Sequence, residues 1–153
     1  MGDKLKIQKE YIFLDESGKP EVYSKKGVNL ASLNLASKYL VIAAVRTHDQ
    51  LSLQKEVTAM RLKILKNKKI SSKFSTAYSL DSFHAQTDYP EIKKMFYEWI
   101  KGSKLDLKIA VIVAEKLKAY SALQQNPSQF YAVVSGELLK RFLHTAKEIE
   151  VVF

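Results

Sequence analysis

Two adjacent carboxylates, Asp15 and Glu16, follow an apolar run and directly precede Ser17 and Gly18. The run Tyr-Ile-Phe-Leu is typical of a buried strand, and Ser-Gly is typical of a tight turn. Desolvation and mutual repulsion make ionisation of both carboxylates costly unless a cation joins them. A divalent metal, a lysine or an arginine would serve. The alternative is that Asp15 and Ser17 only organise the turn through side-chain hydrogen bonds with the backbone.

The composition is that of an ordinary globular domain. A chain of 153 residues is long enough to bury about two-thirds of its unfolded surface, so we expect one domain spanning residues 1–153. Cysteine is absent, which excludes disulfides and thiolate metal sites. The N-terminus lacks the apolar core of a signal peptide, and no run approaches the ~18 apolar residues of a membrane span. We therefore expect a cytoplasmic protein with no membrane partner.

The charge of the chain favours an anionic partner, and nucleic acid is the obvious one. The formal net charge is +9, carried almost entirely by lysine. Because base-edge recognition favours arginine, a lysine-rich surface indicates contact with the phosphate backbone and no sequence reading. The lysines predicted to make this contact are Lys66, Lys68, Lys69, Lys73 and Lys116. The alternative is a lysine-rich surface that is merely solvated.

The elements that position these residues mix strands and helices. Apolar runs predict strands at 11–14, 21–23, 39–45, 105–113 and from 149 onward. Helical periodicity and capping residues predict helices from about 49 to 64, from 90 to 102 and from 126 to 143. The first three strands are predicted to form an antiparallel meander, and strands joined through helices favour parallel pairs. The sequence therefore predicts an α/β fold, with a meander followed by parallel strands.

Several segments together resemble one known family. The motif ending in Asp15-Glu16-Ser17-Gly18, the strand at 39–45, Phe83-His84-Ala85 and the run at 112–116 are similar to the bacterial family called domain of unknown function 3800. The resemblance extends over nearly the whole chain, and the first motif is the distinctive one. It implies a ribonuclease-H-like fold, a metal-dependent nuclease or related activity on nucleic acid phosphodiesters, and carriage on mobile elements.

The resemblance also implies a set of site residues. In a ribonuclease-H-like sheet, carboxylates from the first strand and from the first crossover-connected parallel strand meet at one edge and hold divalent metals. Asp15 and Glu16 match the acidic pair, and Glu115 stands where the family has Asp, so these three are the expected catalytic residues and ligands of Mg²⁺ or Mn²⁺. Neighbours on a strand face opposite ways, so we expect Asp15 to be the primary ligand if the strand continues through residue 16.

One feature of the family has no counterpart here. Its members end in a helix with a Gln-x-x-Asp motif, and this sequence stops at Phe153. We therefore expect an uncovered patch of sheet that a homo-oligomer would bury. The alternative function is a catalytically inactive module that binds nucleic acid or another protein, so the sequence leaves open whether the chain is an enzyme.

Three further residues carry weaker expectations. His84 lies in a family-like segment and is a candidate contact for phosphate or a carboxylate, the alternative being a structural histidine. Lys116 is either a charge partner that replaces metal at Asp15 or Glu16, or a solvent-facing lysine. Ser17 lacks the Gly-x-Ser-x-Gly elbow, which argues against a serine nucleophile.

Overall fold

A computed structural model describes residues 9–68, 88–143 and 148–152, and these form an α/β fold with a mixed sheet. The strands are β1 (Lys9–Ser17), β2 (Tyr39–Thr47), β3 (Leu107–Glu115) and β4 (Glu148–Val152). The helices are α1 (Gln50–Lys66), α2 (Pro90–Gly102), α3 (Ser121–Gln125) and α4 (Pro127–Leu139), with a 3-10 turn at Lys116–Lys118. The strand order is β3-β2-β1-β4. β2 is antiparallel to both of its neighbours, and β4 is parallel to β1.

Helix α4 covers one face of the sheet. Ile12 and Leu14 of β1 are buried, whereas Phe13 between them is only partly buried, because successive strand residues point to opposite faces. The Asn126 side chain caps α4 by accepting a hydrogen bond from the backbone N–H of Gln129. The α4 residues in this core are Phe130, Val134 and Leu138. The core therefore lies between the sheet and α4.

Helices α1 and α2 belong to a second compact unit, made of residues 49–106. Met60 and Ile64 of α1 form its core with Ile92 of α2. Asp49 caps α1 by accepting hydrogen bonds from the backbone N–H and the hydroxyl of Ser52, and these bonds lower the pKa of Asp49. The prediction of a single folding domain for the whole chain stays a prediction.

The expected strand at residues 21–23 does not form. Tyr23 makes only an isolated bridge with Asn29, and the chain between them closes into a loop in which the Ser24 N–H bonds to the Val28 carbonyl oxygen. Two apolar residues give too short a run to hold a ladder against this local hydrogen bonding. The third strand of the meander is β3, and the first parallel strand beside β1 is β4.

The strand predicted at 105–113 was expected to be one of the parallel strands that follow the meander, but it forms β3 and pairs antiparallel with β2. Ile109, Val111 and Val113 are exposed, whereas Ala110 and Ile112 between them are partly buried. One covered face is typical of an antiparallel strand, whereas a parallel strand is normally covered on both faces.

No helix in the described part of the chain is long and apolar enough to cross a membrane.

Candidate functional site

Asp15 and Glu16 lie near the carboxyl end of β1, on opposite faces of the sheet. The strand continues through Ser17, with Asp15 opposite Ala43 and Glu16 opposite Ile42. Glu16 therefore shares the face that α4 covers, and Asp15 lies on the other face. Both carboxylates are exposed. A cation bound on one face of the sheet would thus contact one of the two directly.

Gly18 fixes the turn that follows the carboxylates. Its φ of +85° lies in the left-handed region, and a Cβ built on it would come 2.5 Å from the backbone oxygen of Tyr39. No other residue fits at this position without moving the start of β2. The motif therefore requires glycine at this position for a structural reason: only glycine lets the chain turn directly after Ser17, where β1 ends.

Tyr131 of α4 is a member of the site that sequence reasoning missed. Its hydroxyl donates a hydrogen bond to Glu16 Oε2 at 3.3 Å. Burial and then the negative charges of Glu16 and Asp15 raise the pKa of Tyr131, so the phenol stays protonated and remains a donor. In the sequence, Tyr131 widens the apolar face of the helix predicted from 126 to 143, and that pattern gives it a packing role only. The available signal was its hydroxyl, because a tyrosine packed on a core normally has a polar partner for that group.

Glu115 shares a face with Asp15 but does not lie beside it. Asp15 is level with Val111 of β3, and Glu115 is four positions further along that strand. This register separates the two backbones by roughly 13 Å along the strands and roughly 10 Å across them. Glu115 Oε2 instead lies 2.8 Å from Lys118 Nζ. In the described residues, no group of three or more His, Cys, Asp or Glu side chains could hold a metal ion.

Lys116 is fully buried at the end of β3, with none of its surface exposed. Its Nζ donates a hydrogen bond to the backbone oxygen of Glu21 at 3.1 Å, and its backbone N–H bonds to the Lys38 oxygen. Burial lowers the pKa of Lys116, and the charge of Glu21 opposes this shift. The expectation that Lys116 contacts nucleic acid is wrong, because its ammonium is buried, and the solvent-facing alternative is wrong for the same reason. The side chain anchors the loop between β1 and β2.

The remaining predicted residues are only partly described. Lys66 ends α1 and is exposed, and Lys68 beyond it is exposed as well. Ser17 is exposed at the end of β1. The other three predicted residues, Lys69, Lys73 and His84, lie outside the described residues. Contact of these lysines with phosphate stays a prediction.

No protein-family model matches the chain, and no curated protein or solved structure is significantly similar to it.

Proposed function

We propose that this chain is a ribonuclease-H-like domain of the domain of unknown function 3800 type, acting in the cytoplasm on nucleic acid phosphodiesters. It would use Mg²⁺ or Mn²⁺ held at Asp15. The exposed position of Asp15 at the carboxyl end of β1 carries the proposal. The sheet supports it, because β1 is a central strand with antiparallel β2 on one side and parallel β4 on the other. An antiparallel meander followed by a parallel strand is the arrangement expected of this fold.

A metal at Asp15 would be held by few protein carboxylates. Mg²⁺ commonly binds through one or two carboxylates, with water and substrate phosphates completing its coordination. Asp15 alone therefore fits a metal that binds together with the nucleic acid. Glu16 lies on the opposite face of the sheet, where Tyr131 orients its carboxylate by a hydrogen bond, so Glu16 would act on a metal at Asp15 only through its charge. Glu115 is left out of the proposed ligand set, because the register places it far from Asp15.

The parallel pairing of β4 refines where a second ligand would come from. The resemblance implies a carboxylate on the first parallel strand reached by a crossover, and β4 is the strand in that position. Val152 pairs with Phe13, so the position level with Asp15 lies two residues beyond Val152. If the reading frame continues past Phe153, we expect an Asp or Glu within its first few codons. A continuation with no carboxylate there would count against the proposal.

The test is metal-dependent cleavage of RNA, DNA and RNA–DNA hybrids. We expect cleavage by the wild type with Mg²⁺ or Mn²⁺ and loss of cleavage in Asp15→Asn, which keeps the size of the side chain and removes its charge. Glu115→Gln is the matched control and should retain activity. The proposal would be contradicted if the wild type cleaved none of these substrates, or if Asp15→Asn cleaved them as fast as the wild type.

A second candidate function is nucleic acid binding without catalysis. The helices of the 49–106 unit present exposed lysines, which are Lys55, Lys63, Lys66, Lys94 and Lys101. A surface of this kind binds phosphate by releasing counterions, so its affinity falls steeply as salt rises. This function predicts binding that Asp15→Asn leaves unchanged and no cleavage by the wild type. Electrophoretic mobility shifts at several salt concentrations separate it from the nuclease.

A further inference from the structure

Strand β3 lies at one edge of the sheet, and no other described strand pairs with its outer side. Its side chains Ile109, Val111 and Val113 are 52%, 51% and 61% exposed on one face. The strand pairs with β2 over nine unbroken positions and contains no proline, and its charged residues are Lys108 and Glu115 near the two ends. Natural proteins normally protect an edge of this length with central charges, proline or a bulge. The middle of β3 has none of these.

The backbone of the same residues points toward the free edge. The Lys116 N–H bonds to the Lys38 oxygen, which extends the β2–β3 ladder by one position. In an antiparallel ladder, residues that bond to the neighbouring strand alternate with residues that point away from it. The even-numbered residues of β3 therefore bond to β2. The odd-numbered residues, Ile109, Val111 and Val113 among them, direct N–H and C=O outward.

The pattern of β3 is complementary to itself in the antiparallel direction. With a two-fold axis at Val111, Ile109 faces Val113 of the partner subunit, and Val111 faces its own copy. Lys108 faces the partner's Ala114, so no like charges are opposed. Registers centred on Lys108 or Glu115 would place like charges directly opposite, which is destabilising. An axis at Ile109 would pair Val111 with Leu107, and an axis at Val113 would pair Val111 with Glu115. Only the register centred on Val111 pairs the three exposed apolar residues entirely with one another.

We propose that two copies of this chain associate through β3, joining their sheets into one continuous antiparallel sheet about a two-fold axis at Val111. A two-fold interface requires a patch that complements itself, and β3 provides one. One pair of strands is a small interface, so we expect a weak dimer with a micromolar dissociation constant. The net charge of +9 on each copy opposes association, so salt should strengthen it. This inference does not depend on the proposed nuclease activity.

Sedimentation velocity over a range of protein concentrations tests the dimer. We expect a monomer–dimer equilibrium that shifts toward dimer at higher salt and is lost in Val111→Lys, which places two ammonium groups opposite each other on the axis. Leu35→Lys is the matched control, since Leu35 is 68% exposed and lies outside the strands, and it should dimerise as the wild type does. A monomer at every concentration, or unchanged dimerisation of Val111→Lys, overturns the proposal.

Two further sets of variants test the register. Ile109→Lys and Val113→Glu should each weaken the dimer, and the double variant should restore it because opposite charges then face each other twice. The chain has no cysteine, so Val111→Cys introduces one thiol. Hydrogen-bonded pairs have Cα atoms about 5.5 Å apart, within disulfide range, so oxidation should crosslink Val111→Cys far faster than Leu35→Cys. A double variant that stays monomeric, or equal crosslinking rates, overturns this register; circular dichroism verifies that each variant is folded.

Discussion

Replacing Gly18 by alanine should destabilise the sheet at the end of β1. The left-handed φ of +85° costs a non-glycine residue about 1–2 kcal/mol. The new Cβ would also lie 2.5 Å from the Tyr39 backbone oxygen, so the start of β2 must move. Overpacking of this kind costs about 1–3 kcal/mol. We expect the free energy of unfolding to fall by the sum of both effects, roughly 2–5 kcal/mol.

Gly27→Ala separates the two contributions. Gly27 has a φ of +76°, and a Cβ at this residue would meet nothing within 4 Å, so only the backbone cost of about 1–2 kcal/mol applies. Urea denaturation should be followed by far-ultraviolet circular dichroism, because the single tryptophan, Trp99, lies in the 49–106 unit and does not report on the sheet. Equal destabilisation by the two substitutions would refute the argument that the Tyr39 oxygen makes Gly18 irreplaceable.

Three substitutions probe the charged and polar contacts of the sheet. Glu10 and Arg46 form a buried ion pair at 3.0 Å. Glu10→Ala removes the carboxylate of this pair and should therefore cost about 3–5 kcal/mol in urea denaturation, and a cost near zero would contradict this. The folded-state pKa of Lys116 is below 10.5, so the unfolded chain binds more protons between that lowered value and 10.5. Wild-type stability should therefore rise with pH across that window, and Lys116→Met should remove this rise without loss of stability at neutral pH. Tyr131→Phe removes the donor to Glu16 and should cost about 0.5–1.5 kcal/mol, and an unchanged denaturation midpoint would show that this hydrogen bond contributes nothing.

Element boundaries could be predicted where local chemistry decides them. Asp49 caps α1, Pro90 begins α2, Gly102 ends α2 and Asn126 caps α4, which agrees with the helix starts predicted near 49, 90 and 126 and the helix end predicted at 102. A cap or a proline acts through backbone groups within a few residues, so the sequence contains the whole interaction.

Strand pairing could not be predicted in the same way. Every residue from 109 to 113 is apolar, so alternation could not reveal that one face of β3 is exposed. Residues 49–106 also separate β2 from β3, and helices between two strands favour a parallel crossover. The antiparallel pairing observed instead depends on contacts distant in sequence.

The same limit applies to the candidate site. Asp15 and Gly18 were found from the strand and turn pattern, and the opposite facing of Glu16 follows from strand alternation. The distance of Glu115 from Asp15 depends on the register of β3, which no local pattern encodes. Lys116 is buried and its ammonium bonds to the Glu21 carbonyl oxygen, which lies 95 residues away in sequence, so no local pattern around Lys116 could reveal its burial.

The most direct test of the central proposal is to measure Mn²⁺ binding to the wild type, Asp15→Asn and Glu115→Gln. Electron paramagnetic resonance reports the concentration of free Mn²⁺, and the measurement is made with a nucleic acid substrate present. The account predicts that the wild type and Glu115→Gln bind Mn²⁺ equally, and that Asp15→Asn loses at least about 1.4 kcal/mol, a tenfold weaker affinity. Equal Mn²⁺ binding by the wild type and Asp15→Asn, or no binding by any of the three, would contradict a metal site at the end of β1.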